Sequence, residues 1–563
     1  MGAAAVAFAM TPIGFLGIPF GWNLAIVIAA SIACTAFAVR RHGLPTRPEF
    51  RALAWPLYLT FLLTSVALVP FFRAGFATVI GEGSDAHLAA GTAEFLRNAG
   101  PQDVDETLPV DQMPLVWRSK QAIYYAFGAV STLSGLETWQ TLSCLAAILL
   151  ALAALGFFIV AREMLGASVG VAAVAMGIAG LDRMVLHTGI HPYFNQTWGY
   201  FILPFALVLS WWVIRHWSLG GALLLGLFLF VGAFAYPLAV PIPMLVLGVM
   251  WWMDRRDRRR RSEEVKGARY VWARFRALRK RVRWPLYLVG FLLLVPVFGA
   301  FEKFSGAMQL LLQFKQPLEL WGGDLSGWFP ERQFFAIHAD DGWWLALIVI
   351  AAFAFAELRR LPRPVAIGLG TVIVVGGLIA LEMRLRDFGY YFHFKILAFI
   401  GPLVVVLAAV AMSRVRRWHA GAALLVLWVM WAHAEARLEL QRTFDQVPLT
   451  VQALQGWGDG LPAGSSVRLD MNPGSQLWVA YMLADHPLCS QRPLSTTSYP
   501  HVPLSRAADF VVVRGLRTPV DAVGPPLRAN AEFSLFALRP GLPGGDRCSQ
   551  KMIQTVSRIQ RFQ

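Results

Sequence analysis

Long apolar runs decide what this chain can fold into. Stretches such as 139–161, 364–383 and 391–412 approach the ~20 residues needed to cross a bilayer, and similar runs recur as far as residue 436. A backbone in hydrocarbon must satisfy its own hydrogen bonds, and runs of this length do so as helices. The 563 residues are 56% hydrophobic, more than soluble domains carry. Many of the 21 Trp stand at the ends of runs (Trp139, Trp198, Trp251, Trp252, Trp284, Trp343, Trp344), where interfacial anchors belong. The expectation is an α-helical polytopic membrane protein of about thirteen spans. They are 3–19, 20–39, 52–72, 139–161, 164–181, 198–215, 219–235, 237–253, 284–300, 343–357, 364–383, 391–412 and 417–436. Pro12, Gly14, Gly17 and Pro19 let the first pair be read equally as one long or re-entrant element.

A net charge of +16 would suit nucleic acid in a soluble chain. Here most of the surplus lies in short connecting loops, where Lys and Arg set orientation, so no nucleic-acid partner is expected. Segment 254–283 holds fourteen Lys/Arg against four Asp/Glu and fixes the cytoplasmic side. Its Tyr270, Trp272, Phe275 and Leu278 alternate with Arg and suit an anionic lipid surface. Counting from it, the basic loops 40–51, 357–364 and 413–418 fall on the same side. Loops 73–138, 182–197, 301–342 and 384–390 fall outside, in the extracytoplasmic space. The apolar N-terminus has no charged lead and no small-residue cleavage site, and reads as a retained helix.

Composition changes after Ala436, dividing a transmembrane domain, 1–436, from an extracytoplasmic α/β domain, 437–563. SSVRLDM (465–471), DFVVVR (509–514) and EFSLFAL (532–538) read as strands, the last half-buried by its alternation, and SQLWVAYMLA (475–484) as an amphipathic helix. Cys34 and Cys144 fall in apolar runs and read as ordinary buried residues. Cys489 and Cys548 are able to form a disulfide if the region is outside the cell.

Ionisable residues are scarce, at 15%, yet they crowd the stretch Gly81–Lys120. Asp85 precedes an amphipathic helical pattern, where a carboxylate caps backbone N–H groups. The same rigid position suits a general base facing an outer pocket. Arg118 and Lys120 open a stretch, 114–136, that reads as a helix lying on the membrane surface. They suit a lipid phosphate, or simple snorkelling. His187 and His191 are four apart and would share a helical face able to hold a metal or a phosphate, but Gly189 and Pro192 argue against a regular helix there. Trp321 and Asp324 pair an aromatic face with a carboxylate, which suits a sugar ring or an ordinary re-entrant loop. Arg386, His393 and Lys395 stand at an outer helix end, and Lys395 enters an apolar run. A lysine there is costly and usually faces a cavity or a partner charge.

Four pieces of sequence carry a resemblance: GEGSDAHLAAG (81–91), WRSKQAIYYAFGAVSTLSGLE (117–137), FGYYFHFK (388–395) and LWVAYMLADHPLCSQRPLS (477–495). With the layout of spans and acidic first loop, the chain resembles membrane glycosyltransferases of the GT-C type, particularly the bacterial arabinofuranosyltransferase-like enzymes. One departure is the span pair ahead of the acidic loop, which the family commonly places after its first span. Either the register is shifted or a hairpin has been added. The resemblance implies an inverting transfer, on the outer face, from a polyprenyl-phosphate sugar donor to a cell-envelope glycan or lipid acceptor. It implies Asp85 as general base, with Lys395, Arg386, Arg118, Lys120 and His87 at the donor phosphate. His187, His191, Trp321 and Asp324 are candidates for acceptor or sugar binding. No cofactor is required by this reading, and a divalent cation is left open. The rival reading is a transporter or flippase for a lipid-linked glycan. Such proteins tend to show internal repeats and mid-membrane sites, whereas these ionisable residues gather at one surface.

Overall fold

The computed structural model describes residues 2–44, 46–75, 85–98, 121–191, 193–216, 218–236, 239–260, 330–386, 389–441, 447–471, 473–490 and 508–539. The expected span 284–300 lies outside them. Among the described residues a helix forms at each of the other twelve expected spans. The helices are α1 (Gly2–Phe15), α2 (Phe20–His42), α3 (Arg47–Ala67), α4 (Val69–Arg73), α5 (Asp85–Asn98), α6 (Gln121–Ser134), α7 (Thr138–Ile159), α8 (Val169–Gly180) and α9 (Arg183–Ile190). They continue as α10 (Phe194–Arg215), α11 (Leu219–Ala235), α12 (Pro241–Arg260), α13 (Trp343–Arg360), α14 (Arg363–Leu385), α15 (Tyr390–Ser413), α16 (Trp418–Gln441), α17 (Leu449–Gly458) and α18 (Pro473–Met482).

Among the described residues five stretches are long and apolar enough to cross a membrane unaided: Phe20–Arg41, Thr138–Met164, Phe194–Arg215, Arg363–Leu385 and Phe392–Ser413. The pair α8 and α9 meets the same measure jointly but bends by 59°. The bend has a local cause. Asp182 stands between the two helices and its Oδ1 accepts the Met184 and Val185 N–H groups at 3.0 and 3.3 Å, starting a new helix in a new direction. Similar polar starts open other helices: a reciprocal Glu137–Gln140 capping box before α7, and Ser168 and Ser218 before α8 and α11.

Long helices α7, α10 and α15 form the centre, with α8, α11, α12, α13 and α14 packed around them. Gly156 of α7 faces Pro204 of α10, and a Cβ there would come within 2.5 Å of the proline ring. Glycine is what allows this close crossing. Helix α6 corrects the sequence reading. It is not an exposed amphipathic helix: Ala122–Ala129 are all buried, covered by α1, α5, α7 and α11. The apolar residues that looked like one face are matched by small ones (Ala122, Ala126, Gly128, Ala129) on the others, which neighbours cover closely.

Beyond α16 the described residues form a mixed five-stranded sheet in the order β2-β1-β3-β5-β4. The strands are β1 (Val467–Asp470), β2 (Leu488–Ser490), β3 (Phe510–Arg514), β4 (Ala522–Ala529) and β5 (Phe533–Leu538). β1 runs parallel to β2 and β3, while β3–β5 and β4–β5 are antiparallel. Helix α18 is the crossover between β1 and β2, as parallel neighbours require. The expected strands at 465–471, 509–514 and 532–538 and the helix at 475–484 form at those places. β5 differs in burial: five of its six residues are buried rather than alternating.

Candidate active site

Several buried polar residues gather where α9, the starts of α10 and α15, the end of α16 and a short 3-10 turn, Glu331–Phe335, come together. The turn is pressed against α15 at Gly401, where a Cβ would lie 2.4 Å from the Phe334 carbonyl oxygen. It is tied to α16 by the Trp428 indole, which donates to the Phe335 carbonyl at 3.0 Å. Ala336 then takes a left-handed φ of 52° and donates its N–H to Asp182 Oδ2 at 3.0 Å. Asp182 thus serves a third backbone donor and locks the turn to α9.

The first group of side chains lies on α9 and α16. Arg183 reaches two acids, Glu439 Oε2 at 2.9 Å through Nε and Glu435 Oε2 at 3.1 Å through Nη1. His187 Nδ1 lies 2.7 Å from Glu439 Oε1, and His191 Nε2 lies 3.6 Å from the same oxygen. His338 Nδ1 meets Glu435 Oε1 at 2.7 Å. Glu435, Glu439, His187 and His191 are all buried. A helix through Gly189 was not expected, yet α9 runs to Ile190 and stops with His191 as its C-cap, just ahead of Pro192. Sequence reasoning missed Glu435 and Glu439. Their signal was present: two acids four residues apart at the end of an apolar run share one helical face, and acids there need partners.

The second group surrounds Lys395. Its side chain is 8% exposed, and Nζ donates to Gln196 Oε1 at 3.1 Å. The ammonium also stands 5.2 Å from the Tyr236 ring centre and 5.8 Å from that of Tyr193. Both rings stabilise a cation. Lys395 is the polar member of a groove of about 100 Å³ between α12, α14 and α15, lined by Ile242, Leu245, Val372, Val375, Ile379 and Phe399 among others. Asn195, next to Gln196, accepts the Tyr124 hydroxyl at 2.7 Å and joins α10 to α6.

The third group stands on the 3-10 turn. Glu331 Oε1 receives Arg384 Nε at 3.2 Å and lies 3.6 Å from His393 Nε2. The nearby His393 ring, with Glu331's own backbone N–H and Arg384, holds the Glu331 carboxyl down to about 2 in spite of partial burial. Arg386, the cap of α14, pairs with Glu382 at 3.7 Å.

The other expected residues are placed as follows. Asp85 is the first residue of α5, and its side chain lies outside what is described. His87 is buried on α5, with its ring 6.2 Å from that of Trp478 on α18. Arg118, Lys120, Trp321, Asp324 and Cys548 lie outside the described residues. Cys489 is disulfide-bonded, whereas Cys34 and Cys144 are free. A larger groove of about 700 Å³ lies beside the first group, between α3, α8 and α16, with Arg73, His433, Arg437 and Gln441 among otherwise apolar residues.

No family model matches the chain, and no curated protein does. Solved structures resemble it at a distance. The arabinofuranosyltransferase AftD from Mycobacteria aligns with 87% of this chain at 16% identity and a TM-score of 0.46, and the chain spans only 40% of that protein's length. The oligosaccharyltransferase AglB from Archaeoglobus fulgidus, solved with an inhibitory peptide and a dolichol-phosphate, aligns with 82% of this chain and 70% of its own. Its identity is 12% and its TM-score 0.49. ArnT from Cupriavidus metallidurans aligns with 85% of this chain and 97% of its own at 13% identity and a TM-score of 0.46.

Proposed function

We propose that the chain is a membrane glycosyltransferase that takes its sugar from a polyprenyl-phosphate donor and passes it to a cell-envelope glycan or lipid acceptor on the outer face. The observation that carries this reading is Lys395. Lys395 lies in the second turn of α15, buried beside an apolar groove, where a charge is costly and marks a functional site. A lipid phosphate fits such a site: its charge would meet Lys395 and its chain would follow Leu245, Val372 and Phe399 along the groove. Gln196, Tyr193 and Tyr236 hold the ammonium in place for it.

In this reading Asp85, at the start of α5, deprotonates the acceptor hydroxyl. The oxygen attacks the anomeric carbon and the lipid phosphate departs with the electron pair of the broken bond, inverting the configuration. Lys395 stabilises the charge that develops on the leaving phosphate. Arg386, Arg118, Lys120 and His87 remain candidates for the same phosphate, and Trp321 and Asp324 for the sugar. The C-terminal region, 437–563, is assigned to the same outer side.

The test is transfer from a radiolabelled polyprenyl-phosphate sugar by the purified chain in nanodiscs. Asp85→Asn is expected to lower the rate by ~10²–10⁴-fold, the usual range for a general base, while donor lipid still binds. Lys395→Met is expected to weaken donor binding. Transfer at the unaltered rate by Asp85→Asn would remove the assigned base. Facilitated movement of donor across the bilayer without transfer would replace the enzyme by a transporter.

A further inference from the structure

We infer that His187, His191 and Glu439 form a binding site for one transition-metal dication of the zinc class. The proposal is independent of the transferase reading. One ring nitrogen from each of His187 and His191 and one carboxylate oxygen of Glu439 lie within 4.8 Å of one another, and all three residues are buried. Two imidazole nitrogens and one carboxylate oxygen are the borderline donors that zinc prefers over magnesium or calcium. In a tetrahedral site with metal–ligand distances of ~2.0–2.2 Å, neighbouring donor atoms stand about 3.3 Å apart. The two nitrogen-to-oxygen distances here, 2.7 and 3.6 Å, lie on either side of that value.

The surroundings fit the same role. Arg183 holds the other Glu439 oxygen at 2.9 Å, which aims Oε1 toward the imidazoles. Groups behind the ligands commonly orient them in this way. The charge also fits: Glu435 and Glu439 against Arg183 sum to −1 when the imidazoles are neutral, as ligation requires. A dication reverses that buried negative charge.

The competing account is an ion-paired clasp in which a protonated His187 closes on Glu439. In that clasp both imidazoles face one carboxylate oxygen, with their ring centres 4.1 Å apart. Two protonated rings so placed would repel each other, whereas a metal employs both.

The experiment is a titration of the chelator-treated full chain in detergent with Co²⁺, read by the visible absorption of tetrahedral cobalt, followed by displacement with Zn²⁺. One equivalent is expected to give the tetrahedral spectrum and zinc to abolish it. His191→Ala is expected to bind cobalt at least tenfold more weakly. No tetrahedral spectrum with the unaltered chain overturns the proposal, whatever the variant does. Unaltered binding by His191→Ala overturns it as well. Should the variant not fold, the spectrum of the unaltered chain decides the matter alone.

Discussion

Glu331 shows how a single exposed-edge carboxylate contributes to this cluster of polar residues. Its pKa is lowered from 4.5 to about 2 by His393 first of all, with help from its own N–H and Arg384. A lowered carboxylate pKa stabilises the folded state above the unfolded value, and that contribution is lost as pH falls through the folded one. Comparing thermal midpoints of the unaltered chain and Glu331→Gln between pH 7 and pH 2 tests this. The gap is expected to be full and constant above about pH 5 and to close between 4.5 and about 2. A gap that does not change with pH would mean that Glu331 acts by packing alone. Asp182 belongs to the same scale: one buried carboxylate accepts three backbone N–H groups, one of them from a residue at φ 52°. Such a conformation persists only where neighbours impose it.

At the scale of elements, the 3-10 turn is the part that brings the site together, and Gly401 is what admits it. Gly401→Ala would drive a methyl to 2.4 Å from the Phe334 carbonyl, which is backbone and unable to swing aside. The expected cost is ~1–3 kcal/mol, the usual range for overpacking. It is measured as a lower denaturation midpoint in the same detergent, and an unchanged midpoint would show that the turn yields freely. Elements were the most legible feature of the sequence, because apolar runs and strand alternation are local signals. The helices at 20–39, 139–161, 364–383 and 391–412 and the strands at 509–514 and 532–538 illustrate this. The burial of α6 was not legible, since it depends on α1, which lies over a hundred residues earlier and packs across it. The exposed β4 strand, with Gly524, Pro525 and Pro526, carried turn residues rather than strand residues and escaped for that reason. The candidate site was half legible. His187, His191 and Lys395 stand out as polar groups in apolar surroundings, but nothing local says that Glu439 answers the first two.

Across the whole molecule, the sheet-bearing region and the helical bundle are joined at α5. Tyr481 of α18 hydrogen-bonds Thr138 at the start of α7 at 2.8 Å, and Thr138 also donates to the Ala90 carbonyl of α5 at 3.1 Å. Trp478 lies against His87 one helical turn earlier. The helix that opens with Asp85 is therefore gripped between the membrane helices and the C-terminal region, so its position registers both.

The pairing of Arg183 and His187 with Glu439 has one further consequence, which concerns synthesis rather than the finished protein. The partners are 256 and 252 residues apart in sequence. A ribosome adding ~5–20 residues per second needs on the order of ten seconds or more to deliver the second half of the pair after the first. Through that interval Arg183 lacks the Glu435 and Glu439 carboxylates, which do not yet exist. A chain interrupted before Trp418 never receives them, and the unmatched charge becomes a mark of incompleteness. Such a truncated chain is expected to be degraded quickly in cells, and Arg183→Leu to prolong its half-life in a pulse-chase measurement. Equal half-lives would show that the unmatched charge goes unread.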